Sequence, residues 1–324
     1  MQRNADGDLI IDVPKQVTVP MDNPTPVRPF QESHPTSQFT LPVGSKLIIP
    51  DKHPYLISSD TKRVLATVDK MTAKGRNPNL LVSGPQGTGK SELPTQYAAT
   101  RQLPYAVVEI GLTSDPAQMF GYLDLKDGNT TYVKALFTEA LTTEGCVIHL
   151  QEINRPENDK SLNALFSVLD DNQRVIWIDE LQDYLHVAPG VVFFATMNEG
   201  FEFVGTMPLD EALKSRFHFK IKMDILPTIQ EQALLQAKCG LDAGQAQSLI
   251  DVVNSLRHNN QASIYVSTRD IVNIADLMNF DLPLEIAVRT VLSDSGDVME
   301  SVRLGQHIRG SSVTTRGTEH YEYI

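Results

Sequence analysis

A three-layer α/β/α fold around a parallel sheet, followed by a small all-helical C-terminal domain, is what this sequence predicts. Three observations carry the expectation. Short apolar runs at Asn79-Leu80-Leu81-Val82-Ser83, 104–110, 146–150 and 191–196 alternate with segments of helical periodicity, the pattern of strands covered on both faces by crossover helices. The first run leads into Gly84-Pro85-Gln86-Gly87-Thr88-Gly89-Lys90-Ser91 and then into a helical stretch, the strand, loop and helix context of a phosphate-binding loop. Past residue 225 apolar positions recur at three- and four-residue spacing only, which is helical.

The 324 residues suffice for a main domain of roughly 200 residues and a smaller one. We expect an extended N-terminal arm over 1–50, the nucleotide-binding α/β domain over 51–224, a helical lid domain over 225–295 and a flexible tail over 296–324. Eight of the 19 prolines fall in the first 50 residues, which suits an extended segment. Hydrophobic residues at 41 % and charged residues at 21 % describe an ordinary soluble globular chain. The net charge of −12 argues against a nucleic-acid-coating surface. Cys146 and Cys239 lack metal-ligand spacing and are expected as free thiols in a reducing, cytoplasmic compartment. No apolar run is long enough to span a membrane, and the N-terminus lacks a signal-peptide core.

In chain order, Val64, Leu65, Val68 and Met71 give an amphipathic helix between Ser59 and Gly75. The first strand, the phosphate loop and a helix over 92–101 follow. A second strand covers 104–110, and Thr113-Ser114-Asp115 reads as a helix start. From Tyr122 to Val133 apolar and polar residues alternate about Asp127-Gly128, a hairpin. A helix over 135–143 stops at Gly145 before the third strand. Another runs from about Glu157 to Leu169. Segments 174–178 and 184–187 form a second hairpin, and Pro189-Gly190 precedes the fourth strand. An edge strand is expected within 217–222, and helices near 228–238, 244–257, 268–279 and 284–293.

The loop's chemistry follows from its residue types. Small residues allow backbone N–H groups to curl around phosphates, and the following helix adds its N-terminal dipole. Lys90 supplies a point charge to the outer phosphates, and the Ser91 hydroxyl supplies a ligand to Mg²⁺. Gly84, Pro85, Gln86, Gly87, Thr88, Gly89, Lys90 and Ser91 are thus the expected nucleotide-binding residues.

Four further motifs follow this loop: Gln151-Glu152-Ile153-Asn154-Arg155-Pro156, Ala195-Thr196-Met197-Asn198, Leu213-Lys214-Ser215-Arg216-Phe217 and Ser267-Thr268-Arg269-Asp270. In that order they make the chain resemble the P-loop NTPases of the AAA+ class, more narrowly the MoxR-like, dynein-related group, with likeness to the ATPase subunits of cobaltochelatases. The resemblance covers roughly residues 55–295. It implies ATP and Mg²⁺ as cofactors and a homo-oligomer, a hexameric ring. It also implies a partner protein to remodel, one with a von Willebrand factor type A domain, or alternatively a role as the motor subunit of a metal chelatase.

By the same resemblance, Glu152 is the general base that polarises the attacking water, and Asn198 holds that water or the terminal phosphate. Arg216 is the arginine finger inserted into a neighbour's site, and Arg269 the lid residue that senses the terminal phosphate. Surface salt bridges are the plainer alternative for both arginines, and a turn-forming asparagine for Asn198. The family's aspartate before the glutamate is replaced by Gln151, whose amide can hydrogen-bond a metal-bound water but brings no charge. That substitution favours slower hydrolysis, and in the limit a nucleotide-binding assembly module that barely turns over.

Val175-Ile176-Trp177-Ile178-Asp179-Glu180 offers a rival acidic pair. Only 17 residues separate Glu180 from Asn198 and they include a hairpin strand and Pro189-Gly190, too little for a crossover helix. Crossover geometry therefore favours Glu152. The resemblance to MoxR-like rings implies that Tyr122, Tyr132 and Trp177 on the two hairpins grip a substrate in a central pore; for Trp177, packing on its own hairpin is the alternative. His149 is expected to be a satisfied core histidine and no metal ligand.

Overall fold

The structure is a computed structural model, and it describes residues 39–112, 116–126, 128–156, 160–199, 208–258, 265–292 and 321–323. The elements run β1 (Leu56–Ser58), α1 (Ser59–Thr72), β2 (Asn79–Gly84), α2 (Glu92–Arg101), β3 (Tyr105–Glu109), β4 (Gly121–Lys126), β5 (Asn129–Lys134), α3 (Leu136–Thr142), β6 (Val147–Gln151) and α4 (Lys160–Val168). They continue β7 (Val175–Ile178), β8 (Asp183–His186), β9 (Val192–Asn198), α5 (Glu211–Lys214), β10 (Phe219–Lys222), α6 (Thr228–Cys239), α7 (Ala243–Arg257), α8 (Thr268–Asn279), α9 (Leu284–Val291) and β11 (Tyr321–Tyr323).

Five strands form the central sheet in the order β10-β2-β9-β6-β3, every neighbouring pair parallel. Side chains alternate across a strand, so one run feeds two cores. Leu80 and Val82 of β2 pack with Leu65 and Val68 of α1 and Leu93 and Tyr97 of α2. Leu81, between them, points to the other face with Phe137 of α3 and Leu165 of α4. Phe193 and Phe194 of β9 likewise divide between the two faces, both fully buried. Burying each such ring contributes about 1.5–3 kcal/mol, which is why these runs read as continuous apolar stretches.

α6 to α9 enclose a separate core of Leu249, Ile250, Val253, Ile271, Ile274 and Val288, among others. α7 and α8 each begin with a reciprocal capping box, Asp242 with Gln245 and Ser267 with Asp270. Both expected hairpins are present, β4 paired with β5 and β7 with β8.

Several expectations fall on residues outside the description: 1–38 of the arm, Thr113-Ser114-Asp115, the turn residue Asp127, the helix start at 157–159, residue 293 at the end of the last expected helix, and 296–320 and 324 of the tail. A single 3-10 turn, Pro116–Met119, follows residue 115. At the end of the expected arm Leu47 is buried and Ile48 bridges Tyr105 at the β3 edge. Within the expected tail, Tyr321–Tyr323 pairs antiparallel with β1.

Candidate functional site

In a parallel sheet every strand's carboxyl end lies on one side, and ligands gather there. Register places Asn198, the end of β9, beside Gly84, the end of β2. β6 runs alongside β9 and ends at Gln151, so the phosphate loop, Gln151-Glu152 and Asn198 share one edge.

Two glycines show why the loop has its composition. Gly84 has φ 149°, and a Cβ there would lie 2.1 Å from the carbonyl oxygen of Met223. At Gly87, with φ 74°, a Cβ would lie 2.2 Å from Ser267 Oγ. The first lets the chain pass the strand end beside it, and the second lets the helical unit seat on the loop. That seating is bonded: the Arg269 N–H donates to Gly87 O at 3.1 Å and the Tyr265 hydroxyl to Gln86 O at 2.7 Å. Arg269 is thereby at the loop, with its side chain exposed.

Lys90 is buried, 7 % exposed, and its Nζ donates to Pro85 O at 2.5 Å. Burial pushes the amine down to about 8, the Arg269 charge adds to this, and Glu152 and Glu199 pull the other way. Thr88 Oγ1 donates to the same Pro85 carbonyl at 2.9 Å. An ammonium dehydrated to this degree is stabilised by an arriving phosphate anion. Ser91 heads α2 without a side-chain capping bond.

Glu152 follows β6 in a left-handed conformation, φ 51°, a backbone cost of roughly 1–3 kcal/mol for a residue with a Cβ. The turn is held by Ile153 N–H to Thr196 O at 3.0 Å and Arg155 N–H to Glu152 O at 2.9 Å. Asn198 Nδ2 donates to Glu152 Oε1 at 3.3 Å, and Arg155 Nη1 to Oε2 at 3.4 Å. Asn154 Nδ2 in turn holds Asn198 O at 3.0 Å. The carboxylate is about one-third exposed, within reach of water. Glu180 lies instead in the turn between β7 and β8, and its charge bears on Tyr132 of the other hairpin.

Arg216 lies at the opposite, amino-terminal edge of the sheet. Its carbonyl accepts from Asn79 Nδ2 at 2.7 Å, and Asn79 and Gly84 are the two ends of β2, roughly 17 Å apart at strand rise. Nε donates to Phe166 O at 3.1 Å, Nη1 to Ala212 O at 2.8 Å and Nη2 to Asp170 Oδ2 at 3.4 Å, with the guanidinium over the Phe166 ring. Three of five N–H donors are so used, and the side chain is a quarter exposed.

On the hairpins, Tyr122 is exposed, while Tyr132 is half-buried and donates to Phe120 O at 2.8 Å. Trp177 stands edge-on to Tyr184 at 5.0 Å and donates to Asp179 at 2.7 Å, yet remains 43 % exposed. His149 is buried between Tyr105 and Thr196. Cys146 and Cys239 are free thiols.

Sequence reasoning passed over Tyr55, whose hydroxyl donates to Gly89 O at 3.0 Å and whose ring faces Gly89. It also passed over His53, which bonds Glu92 of α2 at 2.6 Å and holds that carboxylate below its usual range, burial working against it. Neither residue sits in a motif. Contact of Ser267 with the loop was likewise hidden, although its capping box is legible as Ser-Thr-Arg-Asp.

Oxygen donors at this edge, the Ser91 hydroxyl, the Gln151 amide and the Glu152 carboxylate, suit a hard cation such as Mg²⁺. Among the described residues no cluster of three or more histidines, cysteines or carboxylates could hold a metal. Mg²⁺ fits this donor set as it usually binds, with phosphate oxygens completing its shell. No helix among the described residues is long and apolar enough to cross a membrane.

Residues 79–217 match the AAA domain of the dynein-related subfamily, and residues 231–307 match the CbbQ/NirQ/NorQ C-terminal family. BssE of Thauera aromatica, provisionally named a chaperone, is 45 % identical over 274 residues, 84 % of this chain and 94 % of that protein. An uncharacterized protein of Staphylococcus epidermidis is 30 % identical over 233 residues, 67 % of this chain and 84 % of its own length. Among solved structures, a Thermotoga maritima RuvB variant aligns at 15 % identity and a TM-score of 0.48, over 78 % of this chain and 70 % of that one.

Proposed function

The chain belongs to the dynein-related AAA family, in its MoxR-like group, and from that premise we propose an Mg²⁺-dependent ATPase that assembles as a cytoplasmic homohexameric ring and remodels or activates a partner protein. The observation that carries this reading is the meeting of Glu152 and Asn198, 46 residues apart in sequence, at the edge where Lys90 is buried. Phosphoryl transfer to water needs positioning and charge stabilisation, and this edge has groups for both. Gly84 to Ser91 cradle the phosphates, and Lys90 meets the outer ones. Asn198 orients the water, and Glu152 takes its proton. Mg²⁺, held by Ser91 and the phosphates with Gln151 against its water shell, would neutralise charge on the leaving group. Arg269 brings the lid's charge to the same place.

Arg216 cannot reach its own phosphate loop from the other edge of the sheet, and this supports a role in a neighbour's site, where its two remaining N–H donors would meet the γ-phosphate. We assign the α/β nucleotide-binding domain to 51–224 and the lid to 225–295; the two cores of the sheet end before residue 225 and the helical core begins after it. BssE is provisionally named a chaperone, which supports a protein partner. By the MoxR-like resemblance that partner carries a von Willebrand factor type A domain.

Gln151 favours a second reading, a nucleotide-binding assembly module with weak or no hydrolysis. A chelatase motor subunit is a narrower form of the first. Steady-state phosphate release by the assembled protein separates them. Turnover should fall by two or more orders of magnitude in Glu152→Gln and in Arg216→Ala, as removal of a base or finger does. A wild-type rate equal to that of Lys90→Ala would sink the ATPase reading and leave the assembly module.

A further inference from the structure

Between the phosphate loop and Glu152 a continuous chain of hydrogen bonds, buried at its centre, crosses the sheet. Thr95 of α2 places its Oγ1 3.1 Å from Ser91 O and 2.9 Å from the Tyr105 hydroxyl. Tyr105, on β3, lies 3.0 Å from His149 Nδ1. On the other side of that ring, Nε2 is 3.0 Å from Thr196 Oγ1 on β9. The Glu152 N–H faces the same Thr196 oxygen at 3.5 Å. Tyr105, His149 and Thr196 are all at or below 3 % exposure.

The Ser91 carbonyl at one end fixes the donors as far as His149 Nδ1. An amide N–H can only donate and a carbonyl can only accept, while a hydroxyl does both. Starting at Glu152, the N–H donates to Thr196 Oγ1, and Thr196 then donates to His149 Nε2. His149 carries its proton on Nδ1 and donates to Tyr105. Tyr105 donates to Thr95, and Thr95 to the Ser91 carbonyl. With the ring neutral, all bonds point one way.

We propose that His149, with Thr196 and Tyr105, is a positioning relay that sets the backbone of Glu152 relative to the turn carrying Ser91. This inference rests on the reading of Glu152 as the base. A residue with a Cβ at φ 51° persists only where its surroundings overdetermine it, and the Thr196 hydroxyl is one of the groups that do so. Buried networks of this kind are stiff when every member is satisfied and lose more than one bond's worth when one member is removed. The physical basis of neutrality is independent of the geometry: burial pushes His149 down to about 4, so the ring stays uncharged through the physiological range.

The experiment compares full-length Thr196→Val, Thr196→Ser, Tyr105→Phe and the Thr196→Val/Tyr105→Phe double variant with Glu152→Gln, measuring kcat and KM for MgATP. We expect Thr196→Val to lower kcat about tenfold with KM moved less than about twofold, as loss of a transition-state arrangement does. Thr196→Ser, which keeps the hydroxyl, restores kcat to within about twofold. Tyr105→Phe lowers kcat about threefold alone and adds nothing to Thr196→Val, since the two residues meet only through His149. Multiplicative effects in the double variant overturn the relay, as does a serine variant no better than valine. If Thr196→Val does not fold, Tyr105→Phe decides alone, an unchanged kcat overturning the proposal. Wild-type turnover in Glu152→Gln would instead refute the assignment of the base. Loss there with unchanged kcat in both Thr196→Val and Tyr105→Phe would refute the relay only.

Discussion

Lys90 should make nucleotide affinity a function of pH in a range where most side chains are silent. Its amine is pushed down to about 8 from 10.5, first by burial and then by Arg269. Between those values the unfolded chain binds a proton that the folded one does not, so this group's contribution to folding stability rises with pH there and is unfavourable at neutrality. A bound triphosphate reverses the balance, because only the ammonium pairs with it. The charged fraction in the free protein falls from about nine tenths at pH 7 to about one tenth at pH 9, so ATP affinity should fall roughly tenfold across that interval. At pH 8.5 binding should take up roughly three quarters of a proton. Calorimetric titration in two buffers of different ionisation enthalpy reads that uptake directly. In Lys90→Arg the guanidinium stays charged and the dependence should vanish. Arg269→Ala should move the midpoint to higher pH. Affinity that stays flat from pH 7 to 9 in the wild type, or an uptake that survives in Lys90→Arg, would refute the reasoning.

Other outcomes follow from the same geometry. Gly87→Ala puts a Cβ into Ser267 Oγ at a left-handed φ; nucleotide affinity should drop at least tenfold while the main unfolding transition moves by no more than about 1–3 kcal/mol, the cost of a strained residue, checked by titration and urea melts. Arg257 holds the buried Glu231 with two bonds of 2.7 and 2.9 Å and also caps Val266 O. Arg257→Met leaves that carboxylate without its counter-charge, the Thr268 hydroxyl alone still donating to it at 3.2 Å, and should cost about 3–5 kcal/mol, whereas the double change Glu231→Leu/Arg257→Met should recover most of it. Mixing Lys90→Ala with Arg216→Ala subunits should restore a fraction of turnover that neither has alone. Mixtures as silent as their components would exclude a site shared between subunits.

The central elements were legible because each carries a local signal. Apolar runs of Val, Leu and Phe mark strands buried on both faces, and Asp-Gly marks the first hairpin. Apolar spacing of three and four residues past residue 225 places the starts of α7 and α8 to within a residue or two. Strand order was legible only as far as parallel crossovers allow: β10 as an edge strand was expected, its partner β2 was not. What escaped was contact between segments distant in sequence with no periodicity of their own. Tyr55 against Gly89, and Tyr321–Tyr323 against Leu56–Ser58, depend on where earlier elements come to rest. Glu180 shows the converse. A locally convincing Asp-Glu pair after four apolar residues lies in a hairpin turn, because pairing with β8 diverts β7 from the central sheet.

Those hidden contacts share a consequence. The helical unit touches the α/β unit at Gly87, through Ser267 and Arg269. A second connection runs through β11, which pairs with β1, carries Glu322 paired to Lys62 of α1, and reaches Ala233 O of α6 with the Tyr323 hydroxyl at 3.5 Å. β1 follows directly on Tyr55, which holds Gly89. One connection therefore bears on the phosphate loop from the lid side and the other from the N-terminal side. The chain also joins the two units covalently between β10 and α6, so the contacts at Gly87 and β11 set the lid's angle about that joint, and a change at Gly87 to Gly89 bears on an angle more than on a separation. In the ring proposed above, with Arg216 at the site of the next subunit, an angle at each lid is what successive subunits would add up.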